Sequence, residues 1–316
     1  MDKSTNPTVV VSDENAKKIG EEFDKTIYSL VTDNFYHESD VNSDSKIAIL
    51  CYDIQDGFTG SGGYIGGYFY GGDLFNNSDE NKSNEMELFY IDTYPAMGID
   101  KNNPDVAKAY STLAHEFQHM VNFNKHRIET SIGNMDTWLN EALSMAAEHM
   151  YEGVQTNRIS YYNRSEAVEN GRSLLNWDDN NEVLANYSLS YLFSQYLRTQ
   201  LEEAQPSKNV KYFKEIIEDN ERGYKAVENV IHKYIDKDMS FEEFMTNFRT
   251  AMLIKSNTGR FGFNGEEDFN TISTPLYLGG KKDLNGGGAI VKSISSSFTD
   301  PADKGANIKY LGIFNN

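Results

Sequence analysis

The segment His115-Glu116-Phe117-Gln118-His119 lies on a stripe formed by Val106, Tyr110, Leu113, Phe117 and Val121. That spacing has the helical period, and Asn103-Pro104 just before it is a helix-start signal. On a helix, residues four apart are rotated by about 40° and separated by roughly 6 Å. His115 and His119 therefore share one face and can converge on a single point. Glu116 lies about 100° round from His115, close enough to reach whatever the imidazoles hold. Satisfied core histidines would give the same local pattern, so the argument needs a third residue.

Trp138-Leu139-Asn140-Glu141-Ala142 supplies it, twenty-two residues after His119. The pattern predicts a helix over 136–152, ended by Gly153. Glu141 stands there among Trp138, Leu139, Ala142 and Met145. Burying a carboxylate in such company is costly unless a cation compensates it. Two neutral imidazoles and one carboxylate form a set that binds Zn²⁺ and leaves a coordination position open. Glu116 is then placed as general base. Glu148, seven residues beyond Glu141, shares its face and can orient an imidazole by hydrogen bonding. Asn140 is a further candidate, toward either a ligand or a substrate backbone. A tyrosine from the helix predicted over 183–203 would serve as oxyanion donor, with Tyr187 preferred and Tyr191 one turn on.

The rest of the chain fixes the setting. Asp and Glu number 48 against 29 Lys and Arg, a net charge of −19, which argues against nucleic acid or anionic lipid as partners. No run of about 20 apolar residues is present to cross a membrane. The single cysteine, Cys51, reads as a small hydrophobe in a strand. Polar Met1–Pro7 reads as a start from which an export signal has been trimmed. A helix is predicted over 12–33 from Ala16, Ile19, Phe23, Ile27 and Leu30, and strands over 46–53, 64–70 and 86–93. Further helices are predicted over 208–218 and 222–235 and from Ser240, where Ser240 and Glu243 suggest a capping box. Short β-like runs stand at 288–294 and 307–314. Gly57–Gly63 reads as a flexible turn. Asp40-x-Asn42-x-Asp44 has the first ligands of a calcium loop, although Ser45 replaces its glycine; Asp178–Glu182 is a second acidic run.

The expected fold is α+β. An N-terminal helix with a small mixed sheet is followed by a helical lobe, and the active-site cleft lies between them. The organisation expected is a tail over 1–11, a sublobe over 12–127 ending in the His115–His119 helix, a helical sublobe over 128–255, and an extension over 256–316.

At His115–His119, at Trp138–Ala142 and on the Tyr187 helix with its Ser-Tyr-Leu-Phe run, the sequence resembles the gluzincin zinc metalloproteases, and most closely the hyicolysin family of secreted bacterial neutral proteases. Gly66-Gly-Tyr-Phe and Tyr90-Ile-Asp-Thr resemble that family too, and the likeness spans roughly 12–255. It implies a zincin-like fold and hydrolysis of peptide bonds in protein or peptide substrates. It also implies a monomeric, extracellular or cell-surface enzyme, with one zinc on His115, His119 and Glu141, Glu116 as base and Tyr187 as transition-state donor. Thermolysin-like relatives carry an Asp four residues after the ligand Glu; here that position is Met145, so the hydrogen-bond partner must come from elsewhere, with Glu148 the candidate. A zinc aminopeptidase, and a weakly active binding protein on the same fold, are the alternatives.

Overall fold

Ser12 opens the first helix, its Oγ accepting from Asn15 N at 3.2 Å. The computed structural model describes residues 11–100, 102–280, 282, 284–294 and 307–313, so most of the expected 1–11 tail lies outside the described residues. Helix α1 (Asp13–Glu22) runs through a π-helical turn, Phe23–Ile27, into α2 (Tyr28–Asn34). The π turn explains where the expected stripe shifts. Ile19, Phe23, Ile27, Val31 and Phe35 are all buried and all four apart. At that spacing a regular α-helix drifts by about 40° per step. A wider turn takes up part of the drift and keeps the five on one face. Ala16 and Leu30, expected in the stripe, are exposed and half-buried instead.

Three strands form a mixed sheet in the order β1-β3-β2, with β1 (Ala48–Tyr52) parallel and β2 (Gly67–Phe69) antiparallel to β3 (Leu88–Asp92). All five residues of β3 are buried, as expected of a central strand covered on both faces. The strand expected over 64–70 shrinks to Gly67–Phe69. Asp56 Oδ2 takes the Ile65 N–H at 2.6 Å, holding the preceding residues in the loop. Cys51 is half-buried in β1, and burial pushes its thiol pKa up to about 11.

Helix α3 (Tyr110–Phe123) packs on β2 and β3, with Phe117 against Phe23 and Phe23 against Phe89. It follows a 3-10 turn, Val106–Ala109, capped by Asp105. Helix α4 (Thr137–Glu152) packs on α3 and stops at Gly153, whose φ of 86° suits glycine. Two short helices absent from the sequence reading follow, α5 (Thr156–Tyr162) and α6 (Glu166–Glu169). Then comes α7 (Val183–Ala204), buried along most of its length against α4 and α5. Helices α8 (Tyr212–Glu218), α9 (Tyr224–Tyr234) and α10 (Phe241–Ile254) complete the helical part. At α10 only half of the expected capping box forms: Ser240 Oγ accepts from Glu243 N, while the Glu243 carboxylate reaches Arg260.

The runs 288–294 and 307–313 carry no strand. Residues 271–274 and 286–287 nevertheless lie against the helical part. Tyr162 bonds Thr274, Asn163 bonds both Thr271 O and Ser273 N, and Ser173 donates to Gly286 O. The buried Arg249 guanidinium ties Gly287 O to Arg172 O. No described helix is long and apolar enough to cross a membrane.

Candidate metal centre and active site

Helices α3 and α4 meet where His115, His119 and Glu141 project between them. His115 Nε2 and His119 Nε2 are 3.1 Å apart, and Glu141 oxygens lie 3.3 Å from the first and 3.6 Å from the second. A tetrahedral ion with Zn–N bonds of about 2.0–2.1 Å separates its ligand atoms by about 3.3 Å. The three donors are therefore spaced as the ligands of one such ion. Among the described residues this is the one His, Cys, Asp and Glu grouping compact enough to hold a metal. Electrostatics agree. Burial opposes a charged imidazole, yet Glu148 and Glu141 together hold the His115 pKa well above its ordinary value. Glu141 Oε2 is buried with no hydrogen-bond donor. The acidic cluster calls for a positive charge, and a dication supplies it without a proton.

Each imidazole is held from behind. Glu148 Oε1 meets His115 Nδ1 at 2.5 Å. Ser144 Oγ meets His119 Nδ1 at 3.0 Å and also bonds the buried Gln118 Oε1. Asn140 bonds His119 and accepts from Asn122, whose Oδ1 meets His126 Nδ1 at 2.8 Å. Asn140 is half-buried in making that bond to His119. Ser144 and Gln118 were missed. The signal was present: 141, 144 and 148 are one polar stripe, i, i+3 and i+7, along α4.

Glu116 is buried on α3 and accepts from Phe69 N of β2. Burial pushes its pKa up to about 7; His115 draws it down, and Glu141 and Glu148 raise it. Tyr187 comes in from α7. Burial, then the negative charges of Glu141 and Glu116, push its phenol far above the ordinary range, so it stays protonated. Its ring is wedged between the edge of Trp177 and the Arg158 guanidinium, each 5.0 Å away, and its hydroxyl bonds no described residue. Tyr191 points elsewhere: its hydroxyl accepts from Gln155 N and meets His149 Nδ1, both at 3.0 Å. Trp177 and Arg158 left no trace in local sequence pattern.

The Gly57–Gly63 loop has positive φ at Gly57, Gly60 and Gly62. Beneath it opens a hollow of about 550 Å³ lined by Phe58, Tyr64, Pro95, Ile99 and Lys108. The calcium expectation finds no support: neither acidic run forms a metal-holding cluster among the described residues. Asp40 takes Ser45 N and Oγ, Asn42 takes Asp44 N, and Asp44 takes Lys46 N, so these oxygens close their own turn. In the second acidic run, Asp178 pairs with Arg172, Asp179 with Trp177 Nε1, and Glu182 with Ser165.

The model of the peptidase M30 family matches residues 38–277. The chain belongs to that family. It is also 46% identical to the neutral metalloprotease ShpI of Staphylococcus hyicus, over 316 aligned positions that take in 98% of this chain and 70% of the relative. As an M30 member it is a metalloendopeptidase, a hydrolase whose substrates are peptides. The match to the M30 model runs past residue 255, where the motifs ceased to be informative.

Proposed function

We propose that this M30 chain is a zinc-dependent endopeptidase on a gluzincin fold, with one zinc on His115, His119 and Glu141. The carrying observation is the spacing of those donor atoms, 3.1, 3.3 and 3.6 Å, which suits one tetrahedral ion. Bound there, zinc supplies a Lewis acid that polarises the substrate carbonyl and acidifies a coordinated water toward a pKa of about 7.

The chain's own residues do the rest. Glu116 takes the proton of the attacking water and passes it to the departing amine, and a carboxylate tuned to about 7 suits both transfers. The protonated, otherwise unbonded Tyr187 phenol donates to the developing oxyanion. Trp177 and Arg158 fix that ring. Glu148, Ser144 and Asn140 set the tautomer and direction of the ligand imidazoles. Strand β2 is a sheet edge beside Glu116 and can pair with an extended peptide through its backbone. In this reading residues 12–127 and 128–255 are the two sublobes flanking the cleft, and residues 271–274 and 286–287 brace the second. A monomer acting outside the cell or at its surface belongs to the same reading, on the resemblance to secreted bacterial neutral proteases.

The test is Glu116→Gln. That protein should bind zinc as tightly as wild type and cleave unfolded casein at least about a thousandfold more slowly. Cleavage at the wild-type rate would rule out the mechanism.

A further inference from the structure

Helix α5 carries a cation that the reaction described above uses only as a support. Arg158 is half-buried, with its Cζ 5.0 Å from the centre of the Tyr187 ring. Its Nε is buried without a hydrogen-bond partner. Among the described residues its guanidinium forms no ion pair and no hydrogen bond. Other sheltered arginines do: Arg172 holds Asp178 and Asn181 O, and Arg198 holds Glu202 and Glu266. Arg249, also sheltered, has no carboxylate but gives its guanidinium to two backbone carbonyls, whereas Arg158 has neither kind of partner among the described residues. Leaving such a cation unpaired is costly.

Its surroundings are equally specific. Its charge acts on Glu141, on Tyr187, and on Tyr64, the residue after the glycine-rich loop. Arg158 is therefore close to Tyr187, 5.0 Å from its ring, and within electrostatic reach of Glu141 and Tyr64. The Tyr187 ring covers one face of the guanidinium and leaves its in-plane N–H groups to be met by something else. One neutral carbonyl would satisfy one of them. A carboxylate takes two in parallel, with charge assistance.

We infer that Arg158 binds a carboxylate of the peptide substrate, carried either by an acidic side chain near the scissile bond or by a free C-terminus. The inference rests on the peptidase reading above. It makes the enzyme selective for acidic peptides despite its own acidity, because the site's one unpaired guanidinium would outweigh the surface at contact distance.

Matched peptides test it. One series carries Glu or Gln at each position flanking the scissile bond; the other ends in a free acid or an amide. Zinc-loaded wild type should cleave the carboxylate member of one series with kcat/KM about tenfold or more higher, and the series that responds identifies the source. Arg158→Gln should bring that ratio close to one, and Arg158→Glu should turn it toward Lys-containing peptides. Binding to the Glu116→Gln protein, read by calorimetry, should show the same preference in Kd and lose it when Arg158→Gln is added. Equal loss on acidic and neutral peptides, or no preference in wild type, overturns the inference while leaving the peptidase reading intact. No cleavage of any peptide by the zinc-loaded protein overturns both.

Discussion

Glu148 Oε1 lies 2.5 Å from His115 Nδ1, two helical turns along α4 from Glu141. The residue one turn after Glu141, Met145, is buried and apolar. The acidic partner of the first histidine has thus moved one turn along the helix. Removing it frees the imidazole to rotate and to change tautomer. Glu148→Ala should weaken zinc binding by about 10–100-fold in chelator competition. Glu148→Gln should lose less, since an amide oxygen still accepts from Nδ1–H. Equal zinc affinity in all three proteins would show that the contact does not orient the ligand.

Tyr187 offers a cleaner separation of binding from chemistry. Tyr187→Phe keeps the ring between Trp177 and Arg158 and removes the one donor. The expected result is a fall in kcat of about 10²–10³ with little change in KM. Tyr191→Phe, by contrast, removes a hydroxyl bonded to Gln155 N and His149, so its effect should appear in Tm.

Metal binding should stabilise the fold measurably. Three carboxylates, Glu116, Glu141 and Glu148, act on one another around the two imidazoles. Zinc at a hundred times its Kd should add about 2.7 kcal/mol to stability. A Tm that rises with zinc and falls back with chelator would follow. Glu141→Gln should abolish most of that gain.

Two histidines away from the metal set the acid limit. Burial lowers His126 and His149 from 6.5 to about 4, with Lys125 adding to the first and Arg198 to the second. Below 6.5 the unfolded chain binds protons that the folded one refuses. The stability these two groups contribute should therefore be fully present above about 6.5 and be lost as pH falls toward 4. Metal-free protein should show a Tm that drops steeply across that window, and His126→Gln with His149→Gln should flatten the drop.

Sequence alone determined what depends on neighbours along the chain. His115, Glu116 and His119 share a helix because their spacing matches its turn, and Glu141 was marked by the cost of a carboxylate in an apolar helix. The strand centres and the helix starts at Ser12 and Ser240 were legible for the same local reason. The tertiary structure decided what depends on distance in space. Only the packing of α4 on α3 brings Ser144 to Gln118 and His119, and only α5 and α7 together set Arg158 on Tyr187. The π turn at Phe23–Ile27 also belongs to this class, since the core it wraps, not local propensity, demands a four-residue repeat. Those contacts join residues tens of positions apart, and side-chain periodicity carries no record of which distant face will meet which.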